Sequence, residues 1–152
     1  MRKLIIGFFF LCISSGIFSQ VIENQSGEKT RSLTLGVLQG GGSLIGGDFE
    51  TLMSKQTGLQ FGLGLFGIGA GINYHFKPSI HSSFLSLQYW HQGFGPSYTQ
   101  SILGPTFVYR APRWFTAQIG LGYVLEHGPA WPSSMPNSNV ILLYSIGAYF
   151  PI

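Results

Sequence analysis

From residue 31 onward the chain alternates apolar and polar positions with a period of two. In the clearest stretch Ile68, Ala70, Ile72, Tyr74 and Phe76 alternate with Gly69, Gly71, Asn73, His75 and Lys77. Successive side chains of a strand point to opposite faces, so this pattern predicts a strand over 68–77. Residues 115–126 repeat it, with Phe115, Ala117, Ile119, Leu121, Tyr123 and Leu125 on one face and only Val124 interrupting the polar face. Weaker alternation predicts strands over 32–39, 44–53, 58–65, 83–91, 98–110 and 139–150. Turn-forming residues separate them at 40–42, 54–56, 66–67, 78–82, 93–97, 111–113 and 128–137. Most of these segments have about nine to twelve residues, the length a tilted strand needs to cross a bilayer. An even number of strands puts both ends of the sheet on one side.

Ahead of the strands lies a different pattern. Arg2 and Lys3 precede an apolar run from Leu4 to Ile13, followed by Ser14, Ser15, Gly16 and Ser19. A basic start, a short apolar run and small residues predict a secretory signal peptide over 1–19, cut after Ser19 or after Gly16. Cys12, the only cysteine, falls inside it, preceded by bulky Phe10 and Leu11 rather than the small residues of a lipid-anchoring site. Residues 20–30 are polar and aperiodic and read as a flexible leader. The domain expected is therefore 31–152, one unit, because 152 residues do not suffice for two separate cores.

Alternation alone does not say which face looks outward. Composition does. Only 9% of residues are charged, against about 25% in an ordinary soluble domain. Without Arg2 and Lys3, six basic residues stand against five acidic ones, a net charge of +1. The polar faces are built from Gly, Ser, Thr, Gln and Asn rather than Lys and Glu, which suits a small crowded lumen better than a water-facing surface. Aromatic residues make up 15% of the chain and fall near strand ends. Tyr74, Phe76, Phe84, Tyr109, Trp114, Phe115 and Phe150 form one expected belt, and Phe66, Tyr89, Phe94, Tyr98, Tyr123 and Trp131 the other. The fold class expected is an all-β, eight-stranded antiparallel up-and-down transmembrane β-barrel with its apolar faces outward.

The chain ends Ser145-Ile146-Gly147-Ala148-Tyr149-Phe150-Pro151-Ile152. Ser145, Gly147, Phe150 and Ile152 fill the polar, glycine and two hydrophobic places of a pattern that resembles the C-terminal assembly signal of outer-membrane barrels. Pro151 departs from it, since proline cannot donate to a ladder. Over 31–152 the chain resembles the small eight-stranded bacterial outer-membrane barrels of the OmpX, OmpA-transmembrane-domain and opacity-like class. The resemblance implies placement in the cell outer membrane among its lipids, as a monomer, with the last strand read by the barrel-assembly machinery and closed against the first.

On the lumen face the pattern places Asp48, Glu50, His75, Lys77, Arg110 and Glu126, with Gln60, Asn73, Gln88, Gln100 and Gln118 between them. Eight strands leave little interior space, so these charges are expected to pair as structure, with Arg31, Lys77 and Arg110 partnering Asp48 and Glu50. A negative charge at Asn73 is expected to cost less than a cation at Ile72. Eight-stranded outer-membrane enzymes such as lipid A deacylases and palmitoyl transferases need a serine, a histidine and an acid near the membrane surface. Glu126, His127, Ser133 and Ser134 lie at one rim, with His91 across the loops, but adjacent residues of a strand face opposite ways, so Glu126 does not orient His127. The deacylase-type His-Ser-Asn stretch is missing from the sequence. His75, His81, His91 and His127 lack metal-ligand spacing and read as surface or girdle histidines. The outer loops contain no Lys or Arg, which speaks against nucleic acid as a partner.

The function expected is a structural or interaction barrel with no catalytic, cofactor or metal site. A lipid A-modifying enzyme stands as the alternative, followed by a soluble lipocalin-like barrel.

Overall fold

Alternation becomes eight strands in the computed structural model, which describes residues 28–38, 42–134 and 138–152. They are β1 (Arg31–Val37), β2 (Ile45–Leu52), β3 (Thr57–Gly64), β4 (Gly67–His75), β5 (Phe84–Gln92), β6 (Gln100–Arg110), β7 (Phe115–His127) and β8 (Val140–Pro151). Each pairs antiparallel with the next, and β8 returns to β1 to close the barrel. Every boundary lies within two residues of its expected place. The expected signal peptide with Cys12, residues 20–27 of the leader, Gln39, residues 40–41 and residues 135–137 lie outside the described residues.

Register shows how the strands lean. Partner residues run Phe115, Ala148, Leu35, Gly47, Leu63, Ile68, His91, Ser101 and back onto β7 at Glu126, eleven residues beyond the start. One of those eleven is a β-bulge: Ser101 faces Glu126 but Ile102 faces Val124, leaving Leu125 without an opposite number. Such a stagger over eight strands implies a tilt of about 40°.

The apolar faces point outward. Leu63 is 66% exposed, Ile72 57% and Leu142 53%, while Asn73, His75 and Glu50 on the alternate phase are buried inside. The interior has two tiers. Toward the termini it is polar, and toward the other end Trp90, Ile102 and Leu143 form an apolar cluster with Ile141 packed against it. Gly122 makes room for that cluster, because a Cβ there would run into the Ile102 and Leu143 side chains. At the terminal end Ile80, on the turn between β4 and β5, is fully buried.

Val124, the apolar member of the polar face, is buried in the lumen as its phase predicts and extends the apolar tier. Four expected placements are corrected. The bulge changes the phase of β7 just beyond Val124, so Glu126 is exposed rather than luminal. Phe84, expected in an aromatic belt, is buried and faces inward against His75, ring centroids 4.7 Å apart. Lys77 lies past the end of β4 and is exposed, as is Arg31, and Glu50 takes its cation from Arg110 instead.

The last strand uses its proline on the acceptor side alone. Pro151 sits opposite Ser32, its carbonyl accepts from Lys29 Nζ at 2.8 Å, and the Ile152 amide donates to the Arg31 carbonyl at 2.9 Å. No ladder bond is lost to the missing N–H.

Candidate functional site

The polar tier is organised around Glu50. Arg110 Nη2 lies 2.7 Å from its Oε2, and His75 Nε2 lies 2.9 Å from its Oε1. Asn73 Nδ2 donates to the same Oε1 at 2.5 Å and to Gln60 Oε1 at 3.0 Å. Ser86 Oγ donates to Asn73 Oδ1 at 2.5 Å. Arg110 also donates to Ser32 Oγ at 2.9 Å and to the Ile80 carbonyl. Its guanidinium is held between the rings of Phe84 and Tyr149, 4.9 and 4.7 Å from their centroids. Room for the carboxylate comes from Gly58, where a Cβ would stand 3.0 Å from Glu50 Oε1.

This arrangement satisfies a buried carboxylate with a cation, an imidazole and an amide, as a low-dielectric interior requires. Of the expected partners it brings Arg110 to Glu50. His75 stands on the lumen face, as its strand phase predicts, rather than in a surface girdle: the ring is fully buried, with Nδ1 facing the Ser82 carbonyl at 3.2 Å. Beside the network Gln88 and Gln118 bond each other across the lumen at 2.9 Å, and half-buried Asp48 lines the same space. The cavity between Thr34, Asp48, Glu50, Gln60 and Arg110 measures about 20 Å³, room for about one water. Chemically, the tier is a plug.

The second cluster sits on the outer surface, at the end away from the termini. His91 near the end of β5 and Ser101 near the start of β6 are register partners across the 93–99 turn, on the outward row that also carries Ile68 and Glu126. His91 Nδ1 lies 2.8 Å from Ser101 Oγ, and the Tyr89 hydroxyl donates to the same oxygen at 3.4 Å. The Tyr98 ring stacks on the imidazole, centroids 4.9 Å apart and 29° from parallel. The exposed Glu126 carboxylate nearby raises the Tyr98 phenol above the ordinary tyrosine range, with desolvation a smaller cause. A serine hydroxyl, an imidazole, a phenol and a carboxylate thus meet within three strands.

The other rim candidates do not join it. His127 is the register partner of Gln100 and packs on Trp131, ring centroids 4.5 Å apart, with both ring nitrogens buried and unpartnered. As expected, Glu126 does not orient it. Ser133 and Ser134 are exposed in the turn beyond. His81 lies edge-on to Tyr149 at 6.1 Å. Among the described residues no three His, Cys, Asp or Glu side chains gather as a metal site.

The sequence placed His91 near the rim of Ser133 and Ser134, whereas its serine contact is Ser101. The missed signal was positional: His91 and Ser101 stand equally far from the centre of the 93–99 turn, and a hairpin puts such positions opposite each other. Comparison with protein-family models, with curated proteins and with solved structures found no match to this chain.

Proposed function

We propose that this chain is an outer-membrane β-barrel, exported on a cleaved signal peptide over 1–19 and embedded as a monomer among outer-membrane lipids. One observation carries the reading: the barrel is inverted relative to a soluble one, with Leu, Ile, Phe and Tyr side chains covering its outside and Glu50, Arg110, His75 and Asn73 in its interior. In water such a surface would be a large apolar patch; in hydrocarbon it is the solvated face. A soluble lipocalin-like barrel needs the opposite orientation. Closure leaves no free strand edge to recruit a second copy, which supports a monomer.

The terminal residues fit assembly. Phe150 and Ile152 project outward while Gly147 lies where β8 meets Gly36 of β1. These, with Ser145, are the positions through which the barrel-assembly machinery would read the last strand. The blocked lumen points away from transport, so the leading role is structural or interactive. A lipid-modifying enzyme is the second reading, favoured by the contact between His91 and Ser101.

Fractionation tests the membrane reading. The processed protein should sediment with the outer membrane and resist carbonate extraction; recovery from the soluble periplasmic fraction without detergent would refute it.

A further inference from the structure

We propose that Ser101 and His91 form a nucleophile and base pair that hydrolyses a long-chain carboxylic ester of a lipid in the surrounding leaflet. The inference rests on the membrane reading above. Its starting point is an anomaly of placement. Outward positions nearby carry Leu87, Leu103 and Tyr123, as a lipid-facing belt requires, yet this row puts a serine and a histidine side by side. Polar side chains facing lipid are expensive and tend to mark function.

The geometry supplies the parts of an acyl transfer. Ser101 Oγ is 2.8 Å from His91 Nδ1, within reach for proton transfer. Tyr89 holds its hydroxyl 3.4 Å from the same oxygen, beside the place where the carbonyl oxygen of an attacked ester would sit. Tyr98, stacked on the imidazole, fixes its plane. Ser101 is 6% exposed. An ester therefore reaches the serine only as neighbouring side chains shift, and Tyr98, stacked on His91, belongs to a turn rather than a strand.

The steps balance with water alone as co-reactant. Ser101 Oγ bonds to the ester carbonyl carbon as its proton passes to His91 Nδ1, and the negative charge on the carbonyl oxygen meets the Tyr89 hydroxyl. The bond from carbon to the alcohol oxygen then breaks, and the alcohol leaves with the imidazolium proton. Water, deprotonated by His91, attacks the acyl-serine and releases the fatty acid, restoring both side chains. The ester could come from a glycerophospholipid or an acylated glycolipid, which share this bond.

The test uses the full-length gene product purified in detergent and inserted into vesicles. Hexadecyl fluorophosphonate should add one phosphonyl group at Ser101, located by mass spectrometry. Ser101→Ala should abolish labelling, His91→Gln should slow it about 10²–10⁴-fold, and Ser133→Ala should leave it unchanged. Fatty acid release is then measured from phosphatidylethanolamine and phosphatidylglycerol vesicles in one arm and from vesicles containing lipid A in the other, and the arm that loses acyl chains identifies the source. A wild-type barrel that inserts and resists protease, but takes no label and releases no fatty acid in either arm, overturns the inference and leaves the membrane reading intact. A protein that fails to insert into either vesicle overturns both.

Discussion

Glu50 on β2 and Arg110 on β6 stand four strands apart whichever way the barrel is followed, yet their side chains meet at 2.7 Å. The pair therefore ties opposite walls together through the lumen. Removing one partner leaves a buried charge without compensation, which costs about 3–5 kcal/mol, whereas replacing both by apolar groups is close to neutral. Arg110→Ala should lower the urea midpoint of the vesicle-inserted barrel strongly, and Glu50→Gln with Arg110→Met should recover most of the loss. Equal midpoints for Arg110→Ala and wild type would mean that the pair contributes nothing.

The two faces of β4 should respond differently from what the sequence suggests. Ile72→Arg places a cation on the 57% exposed outer face and should cost about 2–4 kcal/mol near the bilayer midplane. Asn73→Asp, expected from the sequence to be the milder change, puts a carboxylate where the amide now donates to Glu50 at 2.5 Å. It should be at least as damaging. Folding yields into lipid at increasing urea measure both.

A buried and a half-buried histidine should separate cleanly. His75 has Glu50 on one nitrogen and the Ser82 carbonyl facing the other, so His75→Leu strands a carboxylate and should destabilise. His127 has no partner on either nitrogen, and an apolar ring of similar shape removes an unsatisfied polar group. His127→Phe should leave stability unchanged or raise it, a comparison that thermal unfolding decides.

Deleting residues 150–152 removes the outward Phe150 and Ile152 together with the last rungs between β8 and β1. Export should continue while the heat-modifiable folded band disappears from the membrane fraction. A normal folded band would show that the terminal pattern carries no assembly information.

Strand positions and the outward phase were legible because both depend on a period of two, which is a property of the local sequence. What escaped depended on register. A single extra residue, Leu125, turned Glu126 from the lumen to the outside. The apolar upper tier was hidden because Trp90, Ile102 and Leu143 sit on three strands and meet only once the barrel closes. Phe84 looked like a belt aromatic by its place near a strand end, but its phase on β5 turns it toward His75. The partner of His91 is found only by folding the hairpin about its turn: Ser101 is ten residues away and adjacent only through the pairing of β5 with β6.

The wall of the barrel is uneven in height. β1, β2 and β3 have 7, 8 and 8 residues, and β6, β7 and β8 have 11, 13 and 12. At a rise of about 3.3 Å per residue and a tilt of about 40°, the first group covers about 18–20 Å along the barrel axis and the second about 28–33 Å. An outer-membrane barrel matches an apolar band of about 25 Å, so in the bilayer proposed for it one flank falls short and the other overshoots. Lipids beside β1–β3 must compress, or the whole cylinder must lean toward that flank, each at a fraction of a kcal/mol per Å of mismatch. Built as a wedge rather than a drum, the protein would thin the membrane on one chosen side.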